Sequence, residues 1–348
     1  MTTRGERAAS RRRLTFTILA ALLLGGLMLS LGWGAVKIAP AQVLGITLEK
    51  AGVQTGIEFS RQQSAVLWNI RLPRVLMGVV VGAALALAGV ALQVAFRNRL
   101  AEPTLLGVSG AATLGVVVAY VLGLTSLGRW TLPVTGSLAA VASVAWLSRF
   151  ARRHGRSDRL TLVLAGVALQ LFLAGLVTLL VSAFRKPGMP DSTSLTLGAL
   201  TGVFWQDVGV AATLVLATAI LLARRARVLN ILLLDEGTAQ ALGVDVGRVR
   251  LALACLAGVA TGTVVGYAGS IAFVGLIVPF AVRLLIGDDH RSLLPAAVLG
   301  GAAVVTVGDA LARNLIAPME LPLGVLTTVV GGPLFFWLIG RGRGAGGW

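Results

Sequence analysis

From Val75 to Phe96 the chain runs 22 residues, VLMGVVVGAALALAGVALQVAF, without a charge. Nothing else in the sequence constrains the fold as strongly as this run and its repetitions. About 20 apolar residues in a helix cross the ~30 Å hydrocarbon layer of a bilayer. Apolar runs read against charged breaks predict ten such helices: 14–37, 72–96, 104–124, 131–150, 160–184, 207–224, 250–269, 271–287, 292–314 and 322–340. Gly269 and Ser270 alone separate the seventh from the eighth. A soluble domain with 56% hydrophobic and 13% charged residues could not bury its apolar surface. The alternating ten-residue strands of a barrel do not occur. The expected fold is therefore an all-α integral membrane protein, about ten transmembrane helices in a densely packed bundle.

The net charge of +16 raises the question of nucleic acid, but the basic clusters flank apolar spans and point to membrane topology instead. With the N-terminus in the cytoplasm, 21 basic residues fall inside, among them Arg11, Arg12, Arg97, Arg99, Arg248 and Arg250. Nine fall outside: Lys37, Lys50, Arg61, Arg71, Arg74, Arg129, Arg185, Lys186 and Arg313. That bias selects N-in, C-in. It assigns residues 1–13 to a basic cytoplasmic N-terminus, 14–340 to the ten-helix transmembrane bundle, with the cytoplasmic loop 232–250 inside it, and 341–348 to a cytoplasmic tail. MTTRGERAASRRR before an apolar run resembles a signal peptide, but 14–36 is long for one and lacks a convincing cleavage site, so it reads as the first membrane helix. The outer loops 38–70 and 185–206 are long enough to be partly ordered.

Glycines four apart, Gly78 with Gly82 and Gly258 with Gly262 and Gly266, share a helix face and allow close backbone approach. Packing explains them without a pore. Asp309 is the one carboxylate set clearly into an apolar run; it lies four residues from Arg313 and could pair along the helix, or mark a proton path. Gln93 and Gln170 are candidates for interhelical hydrogen bonds. Pro279 frees a backbone carbonyl and should kink its helix. Cys255, the single cysteine, reads as a small buried side chain.

Catalytic chemistry is missing. There is no phosphate-binding GxxxxGK[ST] loop and no HExxH, and the two histidines, His154 and His290, are remote from each other. No cofactor or metal is expected in this chain. The segment LLLDEGTAQALGVDVGRVR, Leu232 to Arg250, is unexpectedly structured for a turn between spans. Asp235 can cap a short helix, Glu236 suits its first turn, and Gly243 can end it in the left-handed conformation. Asp245 can cap the next span. Such a segment on the basic side suits docking of a soluble partner or an interfacial helix on lipid headgroups.

DEGTAQALGV resembles the cytoplasmic coupling loop of the FecCD-type permeases of ABC importers, which take up iron-siderophores, haem and cobalamin. The blocks 71–115, beginning RLPRVLMGVVV, 269–302, beginning GSIAFVGLIVPF, and 320–338, beginning ELPLGVLTTVV, are also similar to that family. The resemblance implies a permease dimer, identical or paralogous, with the path at its centre. It implies a separate ATPase binding ATP on the inner face and a substrate-binding protein outside. It implies ATPase contacts at Asp235, Glu236, Ala239, Leu242 and Gly243, and docking of the binding protein at Arg71, Arg74 and Arg313. Two departures stand out: Phe280 occupies a position where His is common, and Arg99 one where Pro is usual. The expected function is the permease subunit of an ATP-driven importer of a ferric siderophore or related chelate, with haem or cobalamin as alternatives. The rivals are an ion-driven secondary transporter, which sparse buried charge disfavours, and a non-transporting scaffold.

Overall fold

The computed structural model describes residues 4–153, 159–316 and 319–342. Each of the ten apolar runs becomes a helix: α1 (Arg4–Gly32), α4 (Leu72–Ala95), α5 (Val108–Val121), α6 (Thr131–Arg153), α7 (Arg159–Ala183), α9 (Trp205–Arg224), α12 (Val246–Ala268), α13 (Val274–Ile286), α14 (His290–Asn314) and α15 (Leu323–Gly342). Five shorter helices fill the connections: α2 (Pro40–Lys50), α3 (Arg61–Val66), α8 (Ser192–Leu197), α10 (Ala226–Ile231) and α11 (Glu236–Ala241). Both long outer loops are thus partly helical, as their length and polarity suggested. Among the described residues six helices are long and apolar enough to cross a membrane; α5, α6, α13 and α15 contribute shorter apolar stretches. Part of the predicted C-terminal tail, 343–348, and His154 lie outside the described residues.

The helix α4 is the axis of the bundle. In its most apolar stretch 83% of residues are buried, against 17% in α7 and 22% in α1, which lie at the rim. It packs on α14, α12, α13 and α9. Lipid offers helices no hydrophobic drive to associate, so backbone approach and dispersion must supply it. At Gly82 a methyl group would run into the Gly301 carbonyl of α14, and at Gly262 into the backbone of Gly136 and Ser137 of α6. At Gly266 it would sit 2.8 Å from Pro133 N and at Gly258 3.0 Å from Val141. Gly78 is the exception among the five predicted positions. A methyl there would lie 3.4 Å from Leu200, an ordinary contact, so packing does not demand glycine. Cys255, on α12, is half-buried rather than buried.

The weak boundary after α12 is a real break. Residues 269–273 are non-helical, with Gly269 at φ +67 and Phe273 at φ +68. They are largely buried, and backbone polar groups at membrane depth are tolerated only when protein satisfies them. Ser270 N–H donates to Leu195 O at 3.0 Å, and Ala199 N–H donates to Ala268 O at 2.8 Å. The carboxylate of Glu102, itself buried in the loop before α5, accepts from Phe273 N–H at 3.3 Å at the positive end of α13. Gln170 of α7 likewise accepts from Gly110 N–H, in the first turn of α5, at 3.0 Å.

Pro279 lies inside α13, which runs on through it to Ile286, and having no N–H it leaves the carbonyl four residues earlier without its helical donor. Gln93 of α4 supplies one: its amide donates to Gly275 O at 3.3 Å, while its own oxygen accepts from Arg283. The proline and the buried glutamine are two halves of one arrangement.

Candidate docking surfaces at the two ends of the bundle

Arg12 and Leu31 of α1 are about 28 Å apart along a regular helix, so what each touches marks a different end of the bundle. At the Arg12 end, α10 hands over to the short segment containing α11. Asp235 caps α11: Thr238 N–H donates to it at 2.8 Å and the Thr238 hydroxyl at 2.6 Å. Those two donors, the hydroxyl first, hold the Asp235 carboxyl below its ordinary range. Gly243 adopts φ +80, Gly243 N–H donates to Gln240 O and Val244 N–H to Ala239 O. Together these close the helix with the paired bonds that a left-handed terminal glycine permits. Asp245 then accepts from Arg248 N–H at 3.0 Å and starts α12.

The knob is fixed to the body. Arg97 donates to Leu234 O at 2.7 Å, and Arg250 reaches Glu236 at 3.5 Å. Ala239 corrects one expectation. It is fully buried in the main core, so it seats the knob and offers a partner no surface. The surface comes instead from Leu233, Leu234 and Leu242, which are 51%, 46% and 58% exposed, with Glu236 partly accessible beside them. Apolar side chains exposed on a rigid, polar-flanked protrusion mark an interaction site.

Next to the knob, the turn between α13 and α14 gathers charges from several elements. Arg283 lies 3.3 Å and Arg99 3.4 Å from Asp288, and Arg12 lies 3.6 Å from Asp289. Asn230 of α10 donates to Asp289 at 2.8 Å. Arg99, at a position where the resembled family usually has proline, thus takes part in an ion pair.

At the Leu31 end the three predicted docking arginines converge, with different fates. A π turn, Leu67–Arg71, joins α3 to α4 and shifts the helical register there. Arg71 points into the bundle and is buried. It donates to Leu31 O at 2.5 Å, to Gly32 O at 3.2 Å and to Val36 O, tying down the end of α1. Arg74, 8% exposed, forks onto Asp309 of α14 through three hydrogen bonds of 2.8–3.1 Å. Its remaining terminal nitrogen donates to Glu320 at 2.8 Å.

Asp309 therefore pairs with Arg74 across helices, and the pairing along α14 with Arg313 that the spacing allowed is not formed. The reason is direction: Arg74 enters from α4 with its planar fork matched to the carboxylate. Arg313 instead donates to Ser30 O at 2.7 Å and Trp33 O at 3.2 Å, bracing α1 from the other side. Arg71 and Arg74 are buried and their donors occupied from within the chain, and of the three Arg313 alone is partly accessible. A fourth arginine, Arg129, holds the buried Asp207 at 2.9 Å and stacks over Phe204. Among the described residues no cluster of His, Cys, Asp and Glu is arranged to hold a metal.

Residues 22–341 match the FecCD transport family. The chain belongs to the FecCD family. The hemin transport system permease protein HmuU of Yersinia pestis is 42% identical over 284 residues, 80% of this chain and 84% of HmuU. The cobalamin import system permease protein BtuC of Halobacterium salinarum is 38% identical over 310 residues, 89% of this chain and 79% of that one. A solved chain of a metal-chelate type ABC transporter in an inward-facing conformation superposes with a TM-score of 0.77 at 30% identity, covering 94% of this chain and 99% of the other. This FecCD chain is accordingly a permease subunit of ABC-importer type, residing in the cytoplasmic membrane.

Proposed function

We propose that this permease moves a metal chelate into the cytoplasm using ATP hydrolysed by a separate subunit. The observation that carries the reading is the capped knob 235–245, with its exposed leucines, rigidly joined to α12. A soluble ATPase gripping that knob would push α12, and through the glycine contacts α6, rocking the bundle between outward-open and inward-open states. The arginine bias places the knob inside and the Arg71, Arg74 and Arg313 end outside, where an acidic surface of a substrate-binding protein would meet Arg313. A second permease chain, identical or paralogous, completes the path.

Haem or cobalamin as cargo is supported by the names of the relatives. A ferric siderophore rests on the family resemblance alone. The test is reconstitution. The chain purified in mild detergent should bring an ATPase and a binding protein with it. In proteoliposomes it should take up hemin, cobalamin or a ferric hydroxamate only with ATP inside. Uptake by the chain alone, or uptake that an uncoupler abolishes while ATP remains, overturns the proposal.

A further inference from the structure

Arg74 holds two carboxylates where its single charge needs one. Asp309 is 3% exposed and makes the bidentate fork. Glu320 makes one bond, to Nη1, and its side chain is 40% exposed. It belongs to a non-helical stretch, 319–322, held by Leu321 N–H on Ala312 O at 3.1 Å. Arg313 and Arg71 spend their donors on backbone carbonyls, which carry no net charge, and Arg313 Nε is buried with no partner. The five groups together carry one surplus positive charge, yet the most exposed of them, Glu320, is negative.

We propose that Glu320 is a built-in competitor: its carboxylate occupies Arg74 Nη1 until a carboxylate of the docking partner takes that place. The proposal rests on the docking reading above and adds a ligand-exchange site to it. Asp309 stays on Arg74 throughout, so the buried guanidinium is never left without an anion, whose loss would be costly. Only the exposed, singly bonded acid leaves. A single-bonded ion pair whose acid reaches solvent can be exchanged by another carboxylate of similar geometry. Departure of Glu320 removes the side-chain tether of residues 319–322 and leaves their backbone bonds, and the stretch leads through Pro322 into α15, where Gly324 packs directly on the backbone of Leu197 in α8.

The test uses the full complex in nanodiscs with the binding protein that co-purifies with it. Glu320→Gln should tighten binding by at least about two- to fivefold, the range set by one solvent-reaching ion pair. Glu320→Asp, which keeps the charge, should not tighten it. A bimane on Met319→Cys, a position 71% exposed, should change its emission when the binding protein docks. In the Glu320→Gln background the emission should already be shifted. Equal or weaker binding by a folded Glu320→Gln complex overturns the proposal, as does an unchanged bimane signal on docking. Arg313→Ala separates the two readings. If it fails to weaken binding, the docking reading itself falls; if it weakens binding while Glu320→Gln does nothing, only the exchange site falls.

Discussion

At the scale of single residues, the buried polar groups govern. Arg74 and Asp309 are each almost fully enclosed, so neither tolerates loss of the other. Arg74→Ala should destabilise the protein by about 3–5 kcal/mol, the cost of stranding one member of a buried ion pair. The loss is measurable as a lower thermal midpoint in detergent, and Asp309→Asn in the same background should recover part of it. Gln93 serves two partners at once. Gln93→Leu should cost about 1–3 kcal/mol because Gly275 O loses its side-chain donor and the Arg283 guanidinium an acceptor. The sequence offered Gln93 and Pro279 as separate features. That they meet follows from α4 crossing α13 at Gly89, where a methyl would run into the Gly275 carbonyl. Glu102 gave no comparable signal: a glutamate before a proline reads as an ordinary loop residue, and only its burial against the start of α13 reveals a cap.

At the scale of elements, the helix α11 is the one whose stability should be tunable without touching the bundle. Gly243 sits in the left-handed region, so Gly243→Ala should raise the cost of closing the knob by roughly 1–2 kcal/mol. Faster hydrogen exchange of amides 239–244 would report it, and ATP-driven uptake should fall while membrane levels hold. The cap at Asp235 adds a pH dependence. Its folded carboxyl titrates below the ordinary value, so its contribution is present above about pH 4 and lost as pH falls through the lower, folded value. Protection of the Thr238 amide should therefore collapse on acidification below about pH 4 and be unchanged between pH 6 and 8. Cap, first-turn acid and terminating glycine were all readable beforehand because they act within ten residues. The burial of Ala239 was not, since it depends on which face the helix turns to the core.

For the whole molecule, packing is steepest at the centre and loosest at the rim. Gly89→Val in α4 should abolish recovery of a monodisperse protein, because a valine cannot fit against the α13 backbone. Phe172→Leu on α7, at a position 66% exposed, should leave both yield and uptake near normal. Size-exclusion chromatography in detergent distinguishes the two outcomes. Equal yields would show that close approach of α4 to its neighbours is not what holds the bundle together.

Hydropathy alone determined the class of fold and where ten apolar runs become helices, six of them among the described residues long and apolar enough to cross a membrane. Local rules likewise determined the capped knob. Tertiary structure alone decided the partner of each buried charge. Arg71 closes on α1, Arg74 on Asp309, and Arg313 turns away from the acid four residues before it. Coulomb attraction has no sequence range, and a guanidinium several ångströms long reaches whichever acceptor the packing of α1, α4 and α14 brings within its fork.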